Sequence, residues 1–222
     1  MTEKPFVIAI DGPAASGKGT LAARLAAHYG YARLDSGKLY RAAARHLRDM
    51  AGDPDDPDAA EAAARRVRAD ELDDPELAGD DIAVLASRIS SYVGVRAALL
   101  AFQRDFAATP PKGAVGAVID GRDIGTVVCP AADIKLFVTA ALEIRAERRA
   151  RELSERLREA DPASIKARVL QDMRERDARD SERAQSPLTR AEDAHLVDTS
   201  GLDADQVFEI ALGLVEAARR RP

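Results

Sequence analysis

The sequence has almost no cysteine, no tryptophan and no excess of positive charge. Among its 222 residues Cys129 is the single cysteine, and the formal net charge is −5. One thiol leaves no intrachain disulfide and no cysteine-rich metal site. A general nucleic-acid binder usually carries a basic excess that displaces counterions from phosphates. The composition therefore argues against nucleic acid as a partner, and an anionic ligand must meet a local cluster of positive charge.

Long apolar runs are also missing. No stretch approaches the roughly 18 consecutive apolar residues of a membrane helix, and the run FVIAI at residues 6–10 is too short for a signal peptide. The apolar content of 46% and the charged content of 32% are those of a folded globular chain. We therefore expect a cytoplasmic protein, a monomer in the simplest case, without a membrane partner. The length fits one α/β domain with a modest insertion.

Five short apolar runs predict the strands of a buried parallel sheet: Phe6–Ile10, Ala32–Leu34, Ala117–Ile119, Ile134–Val138 and His195–Val197. Continuous apolarity, instead of alternation, suits strands that are covered on both faces. Helical patterns lie between the runs, and the first of them ends at a glycine, the residue type favoured just after a helix. Strands that alternate with helices predict a doubly wound α/β fold with a five-stranded parallel sheet.

The stretch GPAASGKGT (12–20) follows the first predicted strand and opens the first predicted helix. It matches G-x-x-x-x-G-K, the pattern of a phosphate-binding loop or P-loop. Its glycines let backbone amides approach phosphates closely, and the positive end of the following helix adds to the anion site. Lys18 adds a point charge at the β- and γ-phosphates. The residues expected to bind ATP are Gly12, Pro13, Ala14, Ala15, Ser16, Gly17, Lys18, Gly19 and Thr20.

The loop departs from the usual pattern at Gly19. In GTPases and motor ATPases a hydroxyl directly after the lysine ligates Mg²⁺, whereas the hydroxyl of Thr20 comes one place later. A Mg²⁺ ion must here be held by Thr20, by a carboxylate such as Asp11 or Asp120, or through water. The sequence GKGT is typical of small-molecule kinases, so it favours them over nucleotide-dependent switches.

Four further clusters accompany the loop: LDSGKLYR (34–41), ASRISSYVGVR (86–96), VIDGRDIGTVV (118–128) and RDARDSERAQSPL (176–188). Together with GPAASGKGT, and in this order, they closely resemble bacterial cytidylate kinases, P-loop enzymes that phosphorylate CMP and dCMP with ATP. The resemblance runs along nearly the whole chain. It implies a single P-loop kinase domain, transfer of the γ-phosphoryl group of ATP to CMP or dCMP, Mg²⁺ as cofactor, and a lid that closes over ATP.

The resemblance assigns three residues to the acceptor nucleotide and its phosphate. Ser36 contacts the nucleotide, and Arg41 and Arg122 bind the phosphate. A planar guanidinium can hold two phosphate oxygens at once, which a lysine cannot. From the residues alone, Ser36 could equally cap the helix over 37–50, and Arg122 with Asp123 could be a surface ion pair.

The cytosine base is assigned by the same resemblance to Asp123, Ser87 and Arg96. Cytosine has one exocyclic amino donor beside two acceptors, and it needs an acceptor such as Asp123 or Ser87 and a donor fork such as Arg96. Uracil reverses the exocyclic polarity and would leave buried groups unpaired, a mismatch that discriminates strongly. Without the resemblance, Ser87 and Arg96 are ordinary residues of a helix surface. Tyr40 is expected to be structural.

Arg176, Asp180 and Arg183 recur at spacings of four and three, so they share one helix face. The resemblance implies that Arg176 and Asp180 hold the ribose hydroxyls and that Arg183 holds the transferring phosphates. Intrahelical ion pairs are the alternative interpretation. Phosphoryl transfer requires no nucleophilic side chain, so the expected catalytic residues are Lys18, Arg122 and Arg183.

Two stretches interrupt the alternation of strands and helices. Residues 53–81 hold twelve acidic residues against three basic ones and show no alternating strand pattern. Many cytidylate kinases carry a small β-sheet in this acceptor-side insertion. We expect that sheet to be missing or reduced and the insertion, about 51–112, to be mainly helical. The expected lid covers about 149–166, and the core covers the remaining segments, about 1–50, 113–148 and 167–222.

Two alternative functions stay open at this stage. One is another small-molecule P-loop kinase that acts on UMP, AMP or shikimate, which would share Lys18 and the loop but would not explain Asp123, Ser87 and Arg96 together. The other is a nucleotide-dependent switch without transfer chemistry. A panel of acceptors with ATP separates these possibilities.

Overall fold

The computed structural model describes residues 4–157, 162–183 and 185–220. Within them one sheet has the strand order β2-β3-β1-β4-β5, and every neighbouring pair is parallel. The strands are β1 (Phe6–Asp11), β2 (Ala32–Asp35), β3 (Gly116–Gly121), β4 (Ile134–Thr139) and β5 (His195–Asp198). All five predicted strands are confirmed. Each ends one or two residues later than predicted, because backbone pairing continues past the apolar run.

Eight α-helices lie between and after the strands in the described part of the chain. They are α1 (Lys18–Tyr29), α2 (Ser36–Asp49), α3 (Pro57–Ala64), α4 (Asp80–Ile89), α5 (Val93–Ala108), α6 (Leu142–Leu157), α7 (Pro162–Glu182) and α8 (Ala204–Arg219). Alternate residues of β1 point to opposite faces of the sheet. Ile8 and Ile10 pack with α1 and α8, whereas Val7 and Ala9 pack with α2, α4 and α5. Helices on both faces explain why the strands are continuously apolar.

The acceptor-side insertion is helical, as the sequence predicts. Between β2 and β3, a segment described throughout, there are helices and 3₁₀ turns and no strand. The acidic residues and prolines here start helical turns. Asp56 and Asp74 each accept a hydrogen bond from the backbone N–H two residues later, and Pro57 and Pro75 occupy first helical positions.

Helices α6 and α7 form a hairpin that packs through a small apolar cluster, which includes Ala146, Leu153 and Met173. Ala14 and Ala15 of the phosphate loop pack against this cluster. Part of the expected lid, residues 158–161, lies outside the described residues. Among the helices that are described, none alone is long and apolar enough to cross a membrane. One pair, Asp80–Ile89 with Val93–Gly113, meets the criteria of length and composition together but is bent by 104°.

Candidate active site

The phosphate loop leaves the carboxyl end of β1 and leads into α1, where the sequence places it. Gly12, Ala15 and Gly17 have positive φ angles of 153°, 56° and 90°. A Cβ at Gly12 would lie 1.9 Å from the carbonyl oxygen of Val138, so glycine is required there. Left-handed residues within such a loop turn successive N–H groups toward one side, which creates a concave anion site.

Lys18 lies at the first position of α1, over the loop. Its Nζ donates to the carbonyl oxygen of Pro13 at 3.2 Å. Desolvation, helped by the nearby positive charge of Arg122 and opposed by Asp120, lowers the pKa of Lys18 to about 7. The ammonium group therefore lies where added negative charge, such as phosphate oxygens, would stabilise it.

Two carboxylates lie beside Lys18 at the ends of neighbouring strands. Asp35 of β2 and Asp120 of β3 are paired in the strand register. Asp120 is buried and lies 3.4 Å from Nη2 of Arg33. Burial and the adjacent Asp35 raise the pKa of Asp120 to about 6. The raised pKa means that the positive charges near Asp120 do not offset the cost of burying its negative charge.

Asp11, the other carboxylate considered for a metal, has a different role. Its two oxygens accept hydrogen bonds from the backbone N–H groups of Ile124 and Gly125, both at 2.7 Å. The carboxylate therefore fixes the turn that follows DGRD, with one hydrogen bond on each oxygen. In the described part of the chain, no group of three or more His, Cys, Asp or Glu side chains could hold a metal ion.

Asp123 and Arg96 form a buried ion pair between the end of β3 and α5, joining Oδ2 to Nη2. The Arg96 guanidinium also lies over the ring of Tyr40, with its carbon 5.7 Å from the ring centroid. Burial raises the pKa of Tyr40 to about 12. The expectation that Tyr40 is merely structural is therefore incomplete, since its ring supports the predicted base-reading pair.

The predicted ribose and phosphate residues also come together. Arg122 Nε donates to Asp180 Oδ2 at 2.9 Å, and Arg183 Nη1 lies 3.9 Å from Asp180 Oδ1. Asp180 is buried, yet the arginines around it hold its pKa below the usual value. Burial, followed by the charge of Arg122, lowers the pKa of Arg176 to about 10. The intrahelical alternative does not account for the Arg122–Asp180 contact, because Arg122 comes from another element.

Five buried polar atoms of the predicted acceptor residues have no hydrogen-bond partner in the described part of the chain. An unpaired buried donor or acceptor typically costs about 1–3 kcal/mol. These atoms are Ser87 Oγ, Arg96 Nε, Arg176 Nε, Arg183 Nε and Arg183 Nη2. The three arginines lie together around Asp180 and Asp123, and this concentration of unpaired donors indicates a binding site for a polar ligand.

Ser36 lies against Gly121, and Arg41 lies near Arg176 of this cluster. The side chain of Asp35, not Ser36, caps α2, because it accepts the N–H of Gly37 at 2.9 Å. The capping alternative for Ser36 is therefore wrong. A Cβ at Gly121 would lie 2.4 Å from Ser36 Oγ, so the glycine of DGRD makes room for this hydroxyl. Arg41 Nη1 donates to the carbonyl oxygen of Leu77 in the insertion, at 2.7 Å.

Three residues that sequence reasoning did not single out surround the loop on its other side. Arg145 is buried and donates to the carbonyl oxygen of Ala14 at 3.3 Å and to Asp177 at 2.7 Å. Arg148 donates to Thr199. The sequence does carry a signal for these residues. Arg145 and Arg148 lie in RAERR, in the first two turns of the helix after β4, and Thr199 directly follows the end of β5.

A cavity of about 390 Å³ opens between the loop, α6 and α8. Its lining includes Gly17, Thr20, Arg148, Thr199 and Val207. The residues that line the cavity are different from those of the arginine cluster around Asp180. A parallel sheet with a P-loop at the end of β1, this cavity and a separate cluster of buried arginines define a P-loop protein of the nucleotide kinase class.

Comparison with known proteins identifies the family of this chain. The family model described as cytidylate kinase matches residues 8–217. A cytidylate kinase from Paramagnetospirillum magneticum is 56% identical over 213 residues, which cover 96% of this chain and 99% of the relative. One from Rhodopseudomonas palustris is 52% identical over 214 residues, 96% of this chain and 97% of the relative. The chain belongs to the cytidylate kinase family.

A solved structure supports the fold independently. An uncharacterised protein from Eubacterium ventriosum superposes with a TM-score of 0.50 at 16% identity, and the match covers 96% of this chain and 99% of that one. At this level of identity the likeness shows the fold alone. The resemblance inferred from the five sequence clusters is confirmed by the family match.

Proposed function

We propose that the protein transfers the γ-phosphoryl group of ATP to CMP or dCMP, giving ADP with CDP or dCDP, in an in-line reaction assisted by Mg²⁺. The observation that carries this proposal is the cluster of buried arginines around Asp180, several of whose N–H groups have no partner among the described residues. Arg122 lies near enough to Lys18 to lower the pKa of the ammonium. Two anion sites therefore adjoin each other, as transfer between two phosphates requires.

ATP is the proposed donor, with its phosphates in the loop 12–20 and its nucleoside in the 390 Å³ cavity. Lys18 would bind the β- and γ-phosphates, because their charge restores the ammonium form. Arg122 and Arg183 would neutralise the charge that develops on the migrating group. Positioning and electrostatic stabilisation of this kind supply most of the rate of phosphoryl transfer.

The acceptor is proposed to lie along the arginine cluster. Asp123, held by Arg96, would accept a hydrogen bond from the cytosine amino group, and the unpaired Ser87 hydroxyl would complete the base contact. Arg41 and Ser36 would contact the phosphate end. Arg176 and Asp180 would hold the ribose hydroxyls. Residues 51–112 would thus form the acceptor-binding insertion.

The residues present fit Mg²⁺. This ion takes oxygen ligands, keeps several waters and is usually held by one or two carboxylates together with substrate phosphates. Asp35 and Asp120 supply two adjacent carboxylates beside Lys18, and the raised pKa of Asp120 reflects the positive charge that is lacking there. Thr20 is exposed at the mouth of the loop and would contribute directly or through water. When bound, the ion would supply charge neutralisation at the phosphates.

Water must be kept from the transferring group, since hydrolysis of ATP competes with transfer. The hairpin over about 149–166 is proposed as the lid that closes over ATP. A monomer that acts in the cytoplasm on free nucleotides, without a nucleic-acid or membrane partner, stays a prediction. Light scattering coupled to size exclusion measures the oligomeric state.

A panel of acceptors tests the function. CMP, dCMP, UMP, AMP and shikimate are each supplied with ATP and Mg²⁺, and the ADP formed is measured. We expect CMP or dCMP to give the highest kcat/KM. Fastest turnover on UMP, AMP or shikimate would point to the other small-molecule kinases. ATP hydrolysis that does not depend on any acceptor would point to a switch.

Lys18→Ala provides the matched control for that panel. It should lower kcat by several orders of magnitude while CMP binding, measured by calorimetry, changes little, because the lysine acts on the donor phosphates. Retained turnover in this variant would show that a contaminating kinase produces the signal.

A further inference from the structure

Thr199 joins the end of the sheet to the phosphate loop. It follows β5 directly and is 2% exposed. Its backbone N–H donates to the carbonyl oxygen of Thr139 at 2.8 Å. Its hydroxyl lies 3.0 Å from the carbonyl oxygen of Ser16, to which it donates, although the two residues are 183 positions apart in the chain.

Arg148 of α6 fixes the direction of that hydroxyl. Its Nη1 donates to Thr199 Oγ1 at 2.9 Å, and its Nη2 donates to the Thr199 carbonyl oxygen at 2.7 Å. A guanidinium has only donors, whereas a hydroxyl has one proton and two acceptor lone pairs. Since Arg148 occupies an acceptor position of Oγ1, the proton of Thr199 is free to point toward Ser16.

Ser16 lies at the most constrained part of the loop. Its neighbours Ala15 and Gly17 both have positive φ angles. This backbone conformation is unfavourable for a residue with a side chain, such as Ala15. In a loop of this kind the N–H groups converge on the anion, and the Ser16 carbonyl is directed to Thr199 instead. The Ser16 hydroxyl has no partner among the described residues, so Ser16 does not fix its own backbone.

We propose that Thr199 is a positioning residue of the donor site. Oriented by Arg148, its hydroxyl holds the Ser16 carbonyl and so directs the loop N–H groups at the β- and γ-phosphates of ATP. The inference rests on the donor assignment made above. Thr199 also lines the nucleoside cavity, but its described hydrogen bonds lead to the loop and to α6. The position of α6 is thereby linked to the shape of the phosphate loop.

Two substitutions distinguish the effect of the Thr199 hydroxyl from the effect of the shape of its side chain. Thr199→Val removes the hydroxyl and keeps the volume, whereas Thr199→Ser keeps the hydroxyl. We expect Thr199→Val to raise the KM for ATP by about tenfold, as the loss of the buried hydrogen bond to the Ser16 carbonyl oxygen implies. The inhibition constant of inorganic tripolyphosphate, competing with ATP, should rise by the same factor. The KM for CMP should stay unchanged, and Thr199→Ser should restore both donor constants.

Ser200→Ala is the matched control. Ser200 lies in the same loop, but its hydroxyl donates to Asp198 at 2.6 Å and accepts the N–H of Ala141 at 2.8 Å. Its removal should leave both donor constants unchanged. Arg148→Lys replaces the guanidinium fork by one donor group and should raise the tripolyphosphate constant by about threefold, even where Thr199→Val does not fold.

Several outcomes would overturn the inference. Unchanged donor constants in Thr199→Val or Arg148→Lys would show that the loop does not depend on this contact. A raised KM for ATP with an unchanged tripolyphosphate constant would place the hydroxyl on the nucleoside. Failure of Thr199→Ser to restore the constants would indicate a general structural role. A wild-type protein that does not use ATP would instead refute the proposed function.

Discussion

The carboxylate of Asp80 and the guanidinium of Arg149 meet at 2.7 Å, between Oδ1 and Nη2. Asp80 opens α4 of the insertion, whereas Arg149 lies on α6 beside the donor cavity, 69 residues later in the chain. Burial is the main cause of the lowered pKa values of Arg41 and Arg176, and the positive charge of Arg149 lowers them further. The ion pair thus connects the proposed acceptor-binding insertion to the helix that borders the proposed donor cavity, next to arginines proposed to bind the acceptor.

Asp80→Asn should raise the KM values for both ATP and CMP by about two- to fivefold, because partly exposed ion pairs contribute up to about 1 kcal/mol. Salt should reduce the difference from wild type, since it screens such pairs. Steady-state kinetics at low and high ionic strength measure both effects. Asp81→Asn is the control, since Asp81 lies 3.8 Å from Arg48, away from α6. An equal effect in the control would contradict the role of the Asp80–Arg149 pair.

Proton uptake should accompany ATP binding. The pKa of Lys18 in the ligand-free protein is about 7, so at pH 8 most of the amine is neutral, and phosphate oxygens would restore its charge. Binding of MgATP at pH 8 should therefore take up close to one proton, and the affinity should fall as the pH rises above 7. Calorimetry in buffers of different ionisation enthalpy measures the uptake.

Lys18→Met is the control for that measurement. It should bind MgATP more weakly and without proton uptake. Equal uptake in wild type and variant would assign the proton to another group.

Asp120 should destabilise the fold at neutral pH. Its pKa is about 6 in the folded protein against 3.8 ordinarily, so the folded state binds the proton more tightly than the unfolded chain does. The destabilisation is therefore complete above pH 6 and absent below the ordinary pKa. Asp120→Asn should add about 1–3 kcal/mol of stability at pH 7.5 while impairing Mg²⁺-dependent turnover.

Urea denaturation at pH 7.5 and pH 4 measures that change. Asp193→Asn is a control that should change the stability in the opposite direction. The hydrogen bond from Lys135 lowers the pKa of Asp193, so the ionised side chain stabilises the fold. The variant should therefore be less stable than the wild type at pH 7.5. A gain for Asp120→Asn that is equally large at pH 4 would contradict the electrostatic explanation.

Asp123→Asn should narrow the preference for CMP over UMP by at least about tenfold, because an amide can donate to the uracil carbonyl, whereas the carboxylate would face that carbonyl with a negative charge. The ratio of kcat/KM for the two acceptors measures the change. Asp105→Asn, on the exposed surface of α5, serves as the control. An unchanged ratio in Asp123→Asn would mean that Asp123 does not contact the base.

The strands and the phosphate loop were predictable because their signals are local. A buried parallel strand must be continuously apolar, and a phosphate loop needs its glycines and lysine at fixed spacing. The helical insertion was predictable for the same reason. Local signals failed at Asp35 and Ser36, since both residue types cap helices and only the backbone geometry selects Asp35.

The site residues that the sequence did not reveal can be recognised only by their contacts with distant parts of the chain. Arg148 meets a residue 51 positions away, and Arg145 meets Ala14 from 131 positions away. Within a charged stretch that also suits a solvated helical hairpin, nothing local distinguishes a buried arginine from an exposed one. Tyr40 gave no signal of its own, because its role comes from the guanidinium of Arg96 above its ring.

The order of the strands has a consequence for the synthesis of the chain. β1 is made first, yet it lies between β3 and β4, so Phe6–Asp11 has no partner in the sheet until Gly116–Gly121 has been translated. Contacts that are so distant in sequence slow folding, because long loops must close before the contacts form. The bond from Thr199 to Ser16 needs a residue that follows the last strand. A nascent chain on the ribosome therefore cannot complete its nucleotide site until its final strand has emerged.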